Sequence, residues 1–350
     1  MLVVVAAVLV GAYIAVRGPQ KAELTVRPQQ APLHEVVTKL NLAPGRTLLA
    51  GGAEGLWVAR QVGTSSVGRL IKIDAPTMQR LRQWPLDLRP RGLAVGGGSV
   101  WVLGQPNGHN SLPALIRINP RNGRVLSHVV LAGPSACSST KFTECDPVVI
   151  GGGVWVSLKE QLVKISLDGL RTERAVQFGG HVWDVAAAGG SLWALAERGL
   201  YKINPRNGDH TRIRLSDIGE GQQANHIAVG NDSLWISSFP TEQARLRIGR
   251  LTRVDITPDT PRIVKTFIYP GAGSLALLDG GLWIDRFSGQ GELDRVNASD
   301  GVLTGPIVTN LDDVTRLVPL NGELWAVTWN PATRARQLVR VQLNPVTAGA

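Results

Sequence analysis

Seven times along this chain a short apolar run meets a cluster of Gly, Asn or Asp and then a tryptophan held between β-forming residues. The copies read "GGAEGLWVA", "GGGSVWVL", "GGGVWVS", "AGGSLWAL", "GNDSLWIS", "LDGGLWID" and "LNGELWAV", and their tryptophans are Trp57, Trp101, Trp155, Trp193, Trp235, Trp283 and Trp325. The interval between them runs from 38 residues (Trp155 to Trp193) to 54 (Trp101 to Trp155). A repeat of this period built from strand signals predicts one all-β architecture, a seven-bladed β-propeller. Helical bundles and coiled coils are excluded, since no long 3.6-residue periodicity runs through the repeat.

Each module supplies four strands. The run before the glycines ("GLAVG", "HIAVG") is an inner strand a, and the Gly/Asn/Asp cluster gives the positive-φ positions of a tight hairpin. Strand b carries the Trp, whose expected place is the core between adjacent blades. Strand c alternates apolar and polar residues, as in "RLIKID", "ALIRIN", "QLVKIS" and "QLVRVQ". A second turn, clearest in "INPRNG", leads to strand d. The seventh module ends after its c strand, while "LHEVVTKLNLAPG" (33–45) reads as a lone d strand. The N-terminal strand is therefore expected to complete the last blade and close the ring, which removes open sheet edges.

The 350 residues divide into an apolar segment (1–16), a linker (17–33) and the propeller (34–350). "MLVVVAAVLVGAYIAV" has no charge and is expected to act as a signal anchor, a transmembrane segment or a cleavable export signal. The basic residues that follow it, Arg17, Lys21 and Arg27, oppose an outward orientation, and an upstream start with basic residues would resolve the conflict. Cys137 and Cys145, in one polar loop, suit a local disulfide in an exported protein; two free thiols are the alternative. The net charge of +10 is spread along the chain rather than gathered into a stripe, which argues against nucleic acid as a partner.

Function is expected on the face where the b–c loops are elaborated, as in "QVGTSSVGR", "GQPNGHNSLPA" and "SSFPTEQARLRIGR". Counting back from each Trp to the top of strand a defines two rows at the channel mouth. The first holds Leu48, Gly92, Pro147, Asp184, His226, Ser274 and Arg316; the second holds Thr47, Arg91, Asp146, Trp183, Asn225, Gly273 and Thr315. The ligand-binding candidates are Arg91, Asp146, His181, Asp184, Asn225, His226 and Arg316. Carboxylates, a His and Arg converging on one funnel suit anion capture or acid–base chemistry, or else simply pair with one another. His34, His109, His128 and His210 fall in strand ends or loops, where they read as surface residues. No HExxH, GxSxG, Walker or dinucleotide-binding pattern occurs in a suitable context.

The repeats "IAVGNDSLWISS", "VGGGSVWV" and "INPRNGRV" resemble those of bacterial propellers of the YVTN/YncE type and are similar to the repeats of streptogramin (virginiamycin) B lyases. The Arg-rich, Ala/Gly/Val-rich usage also looks actinobacterial. The first resemblance implies an extracytoplasmic sensor or scaffold behind a membrane segment, a monomer without a cofactor that binds a small-molecule, cell-envelope or protein ligand. The second implies a lyase- or lactonase-like enzyme, with His226 as catalytic residue and Asp146 or Asp184 holding a divalent metal (Mg or Ca).

Overall fold

In the computed structural model the described residues are 22–23 and 35–343, apart from 62–66, 107–111, 133–144, 168–170, 216–221, 231, 241–248, 258–259, 270–271, 287–290 and 309–310. The expected apolar segment, most of the elaborated b–c loops and Cys137 lie outside these residues. Among the described residues no helix is long and apolar enough to cross a membrane.

Among the described residues, twenty-nine strands form seven sheets. After β1 (Ala22–Glu23) and β2 (Glu35–Leu42), the blades follow in chain order. Blade 1 is β3 (Thr47–Gly52), β4 (Gly55–Gln61), β5 (Gly68–Asp74) and β6 (Gln79–Leu86). Blade 2 is β7 (Leu88–Gly96), β8 (Ser99–Pro106), β9 (Ala114–Ile118) and β10 (Val125–Val130). Blade 3 is β11 (Val148–Ile150), β12 (Gly153–Leu158), β13 (Gln161–Ser166) and β14 (Thr172–Gln177). Blade 4 is β15 (Val182–Ala188), β16 (Ser191–Ala196), β17 (Gly199–Ile203) and β18 (His210–Ile213). Blade 5 is β19 (Gln222–Val229), β20 (Ser233–Pro240), β21 (Gly249–Asp255) and β22 (Arg262–Tyr269). Blade 6 is β23 (Ala272–Leu278), β24 (Gly281–Arg286), β25 (Glu292–Asn297) and β26 (Leu303–Val308). Blade 7 is β27 (Asp313–Leu320), β28 (Glu323–Trp329), β29 (Arg336–Leu343) and β2, which pairs antiparallel with β29 from Glu35↔Leu343 to Leu42↔Arg336. The short β1 pairs parallel with the outer strand of blade 5.

In blades 2, 3, 4, 6 and 7 the a–b hairpin is tight because both central residues adopt left-handed conformations. Gly97 and Gly98 have φ of 59° and 69°, and Asn321–Gly322 does the same with 52° and 75°. Each inner strand packs on the inner strand of the next blade, and β27 packs on β3, so the seven a strands ring a central channel.

The core is seven interfaces rather than one. Each Trp of strand b is buried at 0–1 % exposure. Trp57 packs against Leu93, Val100 and Val102 of blade 2, Trp101 against Val154 and Val156 of blade 3, and Trp325 against Leu49, Leu56 and Val58 of blade 1. A Trp offers the largest apolar area available at one position in a gap that widens outward.

A second repeat sits on the first. Each Trp lies cross-strand from a cation on strand c, in the pairs Trp57↔Lys72, Trp101↔Arg117, Trp155↔Lys164, Trp193↔Lys202, Trp235↔Arg253, Trp283↔Arg295 and Trp325↔Arg340. The Lys72 ammonium stands 5.3 Å from the Trp57 ring and the Arg117 guanidinium 5.6 Å from Trp101. Several of these cations reach on to the c–d turn of the next blade. Arg117 donates to Leu167 O at 2.8 Å, Arg253 to Ser299 O at 2.8 Å and Arg340 to Pro76 O at 2.8 Å. A share of the basic charge therefore belongs to blade-to-blade joints, on the face opposite the mouth.

Candidate functional site

At the mouth end the inner strands lose their regular pairing. Bulges interrupt β7 between Pro90 and Gly92, β15 between Val182 and Asp184, β19 between Ala224 and His226, β23 between Ala272 and Leu275, and β27 between Val314 and Arg316. The skipped residues are Arg91, Trp183, Asn225, the Gly273–Ser274 pair and Thr315. A bulge re-aims side chains and leaves ladder groups to find other partners. Here those partners come from neighbouring blades.

Asp146 Oδ1 accepts the Leu93 N–H of blade 2 at 2.6 Å, and Asp184 Oδ2 accepts the Ile227 N–H of blade 5 at 2.9 Å. Ser274 Oγ does the same for the Leu317 N–H of blade 7 at 2.9 Å, and Arg316 Nε donates to Leu49 O of blade 1 at 3.0 Å. Each acid has a cationic or ionisable neighbour besides. Arg316 forms an ion pair with Asp146, joining blade 7 to blade 3, and His226 Nδ1 lies 3.5 Å from Asp184 Oδ2. Gly92 permits the first arrangement, since a Cβ there would stand 2.1 Å from the Cys145 carbonyl oxygen.

The predicted residues thus come together in pairs, not in one cluster. His181 joins neither pair. Its ring lies tilted against that of Trp183 with centroids 4.4 Å apart, and its backbone N–H donates to Glu197 Oε2 at 3.3 Å. Burial pushes its imidazole pKa down, opposed by the negative charge of Glu197. Asn225 is buried, and its Nδ2 has no partner among the described residues. Arg91 is half-buried, and its pKa is lowered by burial and by the like charges of Arg46 and Arg89.

Asp146 and Asp184 stand in different pairs. Among the described residues no group of three His, Cys, Asp or Glu side chains is arranged to hold a metal ion. Cys145 is buried at 1 % exposure, and the expected Cys137–Cys145 bridge falls outside the described residues.

One acid at the mouth was missed by counting along strand a. Asp285 lies on strand b of blade 6, at 4 % exposure, two residues beyond Trp283. Burial raises its carboxyl pKa to about 7, helped by the charge of Asp313 and opposed by His226. Gly273 makes room for it, since a Cβ there would meet Asp285 Oδ2 at 2.3 Å. The signal was in the sequence. The residues two beyond each Trp are Ala59, Leu103, Ser157, Leu195, Ser237, Asp285 and Val327, and only one is charged.

Also unread in the sequence is a polar joint between blades 5 and 6. Asp294, fully buried, accepts from Arg286 Nε at 3.0 Å and from the Tyr269 hydroxyl, while Arg286 also pairs with Glu292 at 3.0 Å. Burial and the Asp294 charge drive the Tyr269 pKa far upward, so its hydroxyl stays a donor.

Two clefts lie away from the mouth. One of about 530 Å³ is lined by Lys202, Asn204, Arg206 and Asp209 at the turns of blade 4, and another of about 550 Å³ by Arg174, Gln177 and His210. Both are wide and polar, and neither encloses a catalytic constellation.

No family model matches the chain, and no curated protein matches it in sequence. Among solved structures it is similar to BamB from Moraxella catarrhalis, at 12 % identity and a TM-score of 0.55 over 90 % of this chain and 100 % of that one. It is also similar to the β-propeller domain of Cps50 (Swd1) from Myceliophteria thermophila, at 13 % identity and a TM-score of 0.62 over 89 % and 100 %. The WD40 domain of Pan2 from Neurospora crassa gives 10 % identity and a TM-score of 0.59 over 89 % and 97 %. At such identities the likeness is one of fold, and it agrees with the seven sheets described above.

Proposed function

We propose that this chain is a membrane-tethered, extracytoplasmic propeller that binds a small-molecule, cell-envelope or protein ligand at its mouth without transforming it. One observation carries the reading. Two acids that counting along the inner strands singled out are engaged in holding blades together: Asp146 and Asp184 each accept a backbone N–H from a neighbouring blade and lie beside Arg316 and His226. A general acid or base needs a side chain aimed at substrate, whereas these are aimed at the scaffold. The apolar N-terminal segment and the resemblance of the repeats to YVTN/YncE-type propellers support the location. We further infer that the pairing of β2 with β29 holds the ring shut, since it ties the start of the propeller to its end.

The test places a photo-crosslinking residue at Asp87, exposed on the mouth side, or at Asn122, exposed in a c–d turn on the opposite face. In cells expressing the chain, crosslinked products are expected from position 87 and not from 122, and His226→Ala is expected to leave them unchanged. Equal labelling from both faces, or none from either, overturns the reading. Recovery of the intact chain from the cytosolic fraction overturns the location.

A further inference from the structure

The mouth is not electrically uniform. Over blades 4 to 7 it carries Asp184, His226, Asp285 and Asp313. Over blades 7, 1 and 2 the row is backed by guanidinium groups that come from separate parts of the chain. Arg336 opens β29 and donates from Nη1 to Thr315 Oγ1, the bulge residue of blade 7, at 3.1 Å. Arg46 immediately precedes Thr47 of blade 1, and its carbonyl is fixed by the Gln61 N–H at 3.0 Å. Arg91 occupies the bulge of blade 2. Three consecutive positions of the row thus each have an arginine on or beside them.

These groups are close enough to oppose one another. Arg46 disfavours the charge of both Arg91 and Arg336, in each case adding to the effect of burial. Among the described residues neither Arg91 nor Arg336 pairs with a carboxylate. The nearest acid of the row, Asp146, is held by Arg316 and the Leu93 N–H. Arg60, directly cross-strand from Thr47, is 8 % exposed, and its Nε has no partner among the described residues. Its other charged neighbours, Arg69 and Arg80, are again cationic. Among the described residues the charges that act on Arg91 and Arg336 are cationic, which adds to the cost of partly burying these two guanidinium groups, and a bound anion relieves that cost.

We propose that the rim formed by blades 7, 1 and 2 is an oxyanion site, where Arg46, Arg91 and Arg336 take a phosphate or carboxylate group of the ligand. The site deepens, and rests on, the reading of the mouth as a binding face. The planar fork of Arg suits such groups, because two parallel N–H donors match two oxygens. Trp329, with its ring centroid 6.0 Å from the Arg336 guanidinium, helps hold that fork in place.

The experiment is calorimetric titration of the full chain with inorganic phosphate and, separately, with succinate, at ionic strength held constant with sodium chloride. Saturable one-to-one binding is expected for at least one probe, and which one identifies the group as phosphoryl or carboxylate. Arg91→Gln and Arg336→Gln are each expected to weaken it by about tenfold or more, as loss of a charge-assisted contact does. Arg121→Gln, exposed in a turn on the opposite face, is expected to leave it unchanged. Arg91→Lys keeps the charge without the fork and is expected to fall between. Thermal melts in anion-free buffer confirm that the variants fold. No saturable binding of either probe, or an equal loss in Arg121→Gln, overturns the site. If crosslinking from position 87 persists while anion binding is absent, the oxyanion site fails alone; if both are absent, the binding reading falls with it.

Discussion

The blade interfaces and the mouth are built from the same seven repeats, yet they obey different rules. At each interface one Trp of strand b fills the gap to the next blade, and a Lys or Arg of strand c stands cross-strand from it. At the mouth the matching positions hold Thr47, Arg91, Asp146, Trp183, Asn225, Gly273 and Thr315, and of adjacent blades only 7 and 1 share a residue type. The interface needs shape, which repeats. The mouth distributes charge unevenly, basic over one side and acidic over the other, which repetition would forbid. Uniformity marks what holds this molecule together, and divergence marks where a ligand is expected.

That contrast can be broken experimentally, beginning with the interface. Trp101→Ala should cost about 3–5 kcal/mol, the usual range for emptying a large aromatic site, read from urea denaturation. A loss below about 1 kcal/mol would mean that neighbouring blades collapse into the space and that the Trp wall is not the main source of cohesion.

The next effect belongs to the mouth and depends on pH. Asp285 has its folded-state pKa raised to about 7, above the ordinary 3.8. Between those values the folded chain binds more protons than the unfolded chain, so stability is fully present below about pH 4 and is lost as pH rises through 7. The full shift corresponds to at most ~4 kcal/mol. Asp285→Asn should therefore stabilise the protein at pH 8 and match the parent near pH 4. Equal gains at both pH values would show that the carboxyl does not titrate as described.

Smaller is the effect expected at the staple between blades 4 and 5. Asp184→Ala leaves the Ile227 N–H without its acceptor and should cost about 1–3 kcal/mol, while Asp184→Asn, which keeps an acceptor oxygen, should cost less. If the two variants are equally destabilised, the contact with His226 Nδ1 matters more than the hydrogen bond. Smallest of all, Lys72→Met keeps the apolar stem over Trp57 but removes the charge, and should cost about 0.5–1 kcal/mol in a thermal melt.

Trp57 and its six counterparts made the fold legible, because a tight turn followed by a large aromatic at constant register has few other uses. The alternation of "RLIKID" placed Lys72 on the opposite side from Ile71 and Ile73, but not over a ring. That contact depends on which residue of β5 lies opposite Trp57, and pairing register is set by turn length and by the neighbouring blade. Counting back from Trp found the row that the bulges re-aim, and it found Arg316, Asp146, Asp184 and His226 as members of one mouth. It did not show how they pair. Arg316 and Asp146 are far apart in sequence and meet only because the ring brings blade 7 near blade 3. His181 was grouped with them by proximity in sequence, yet it turns toward Trp183 and Glu197. Asp285 escaped because strand a was searched and strand b was not.

By itself the sequence determined that the chain folds into seven repeated sheets, with glycine, Asn or Asp turns and a Trp at each interface. Those features are local, since φ preference, strand alternation and side-chain volume act within a few residues. Only the tertiary structure decided which charges meet across the channel and which stand among their own kind. Coulomb energy depends on distance and on burial, and both are set when the ring closes. The same arginine codes for a joint at position 316 and, in our reading, for an anion contact at position 91.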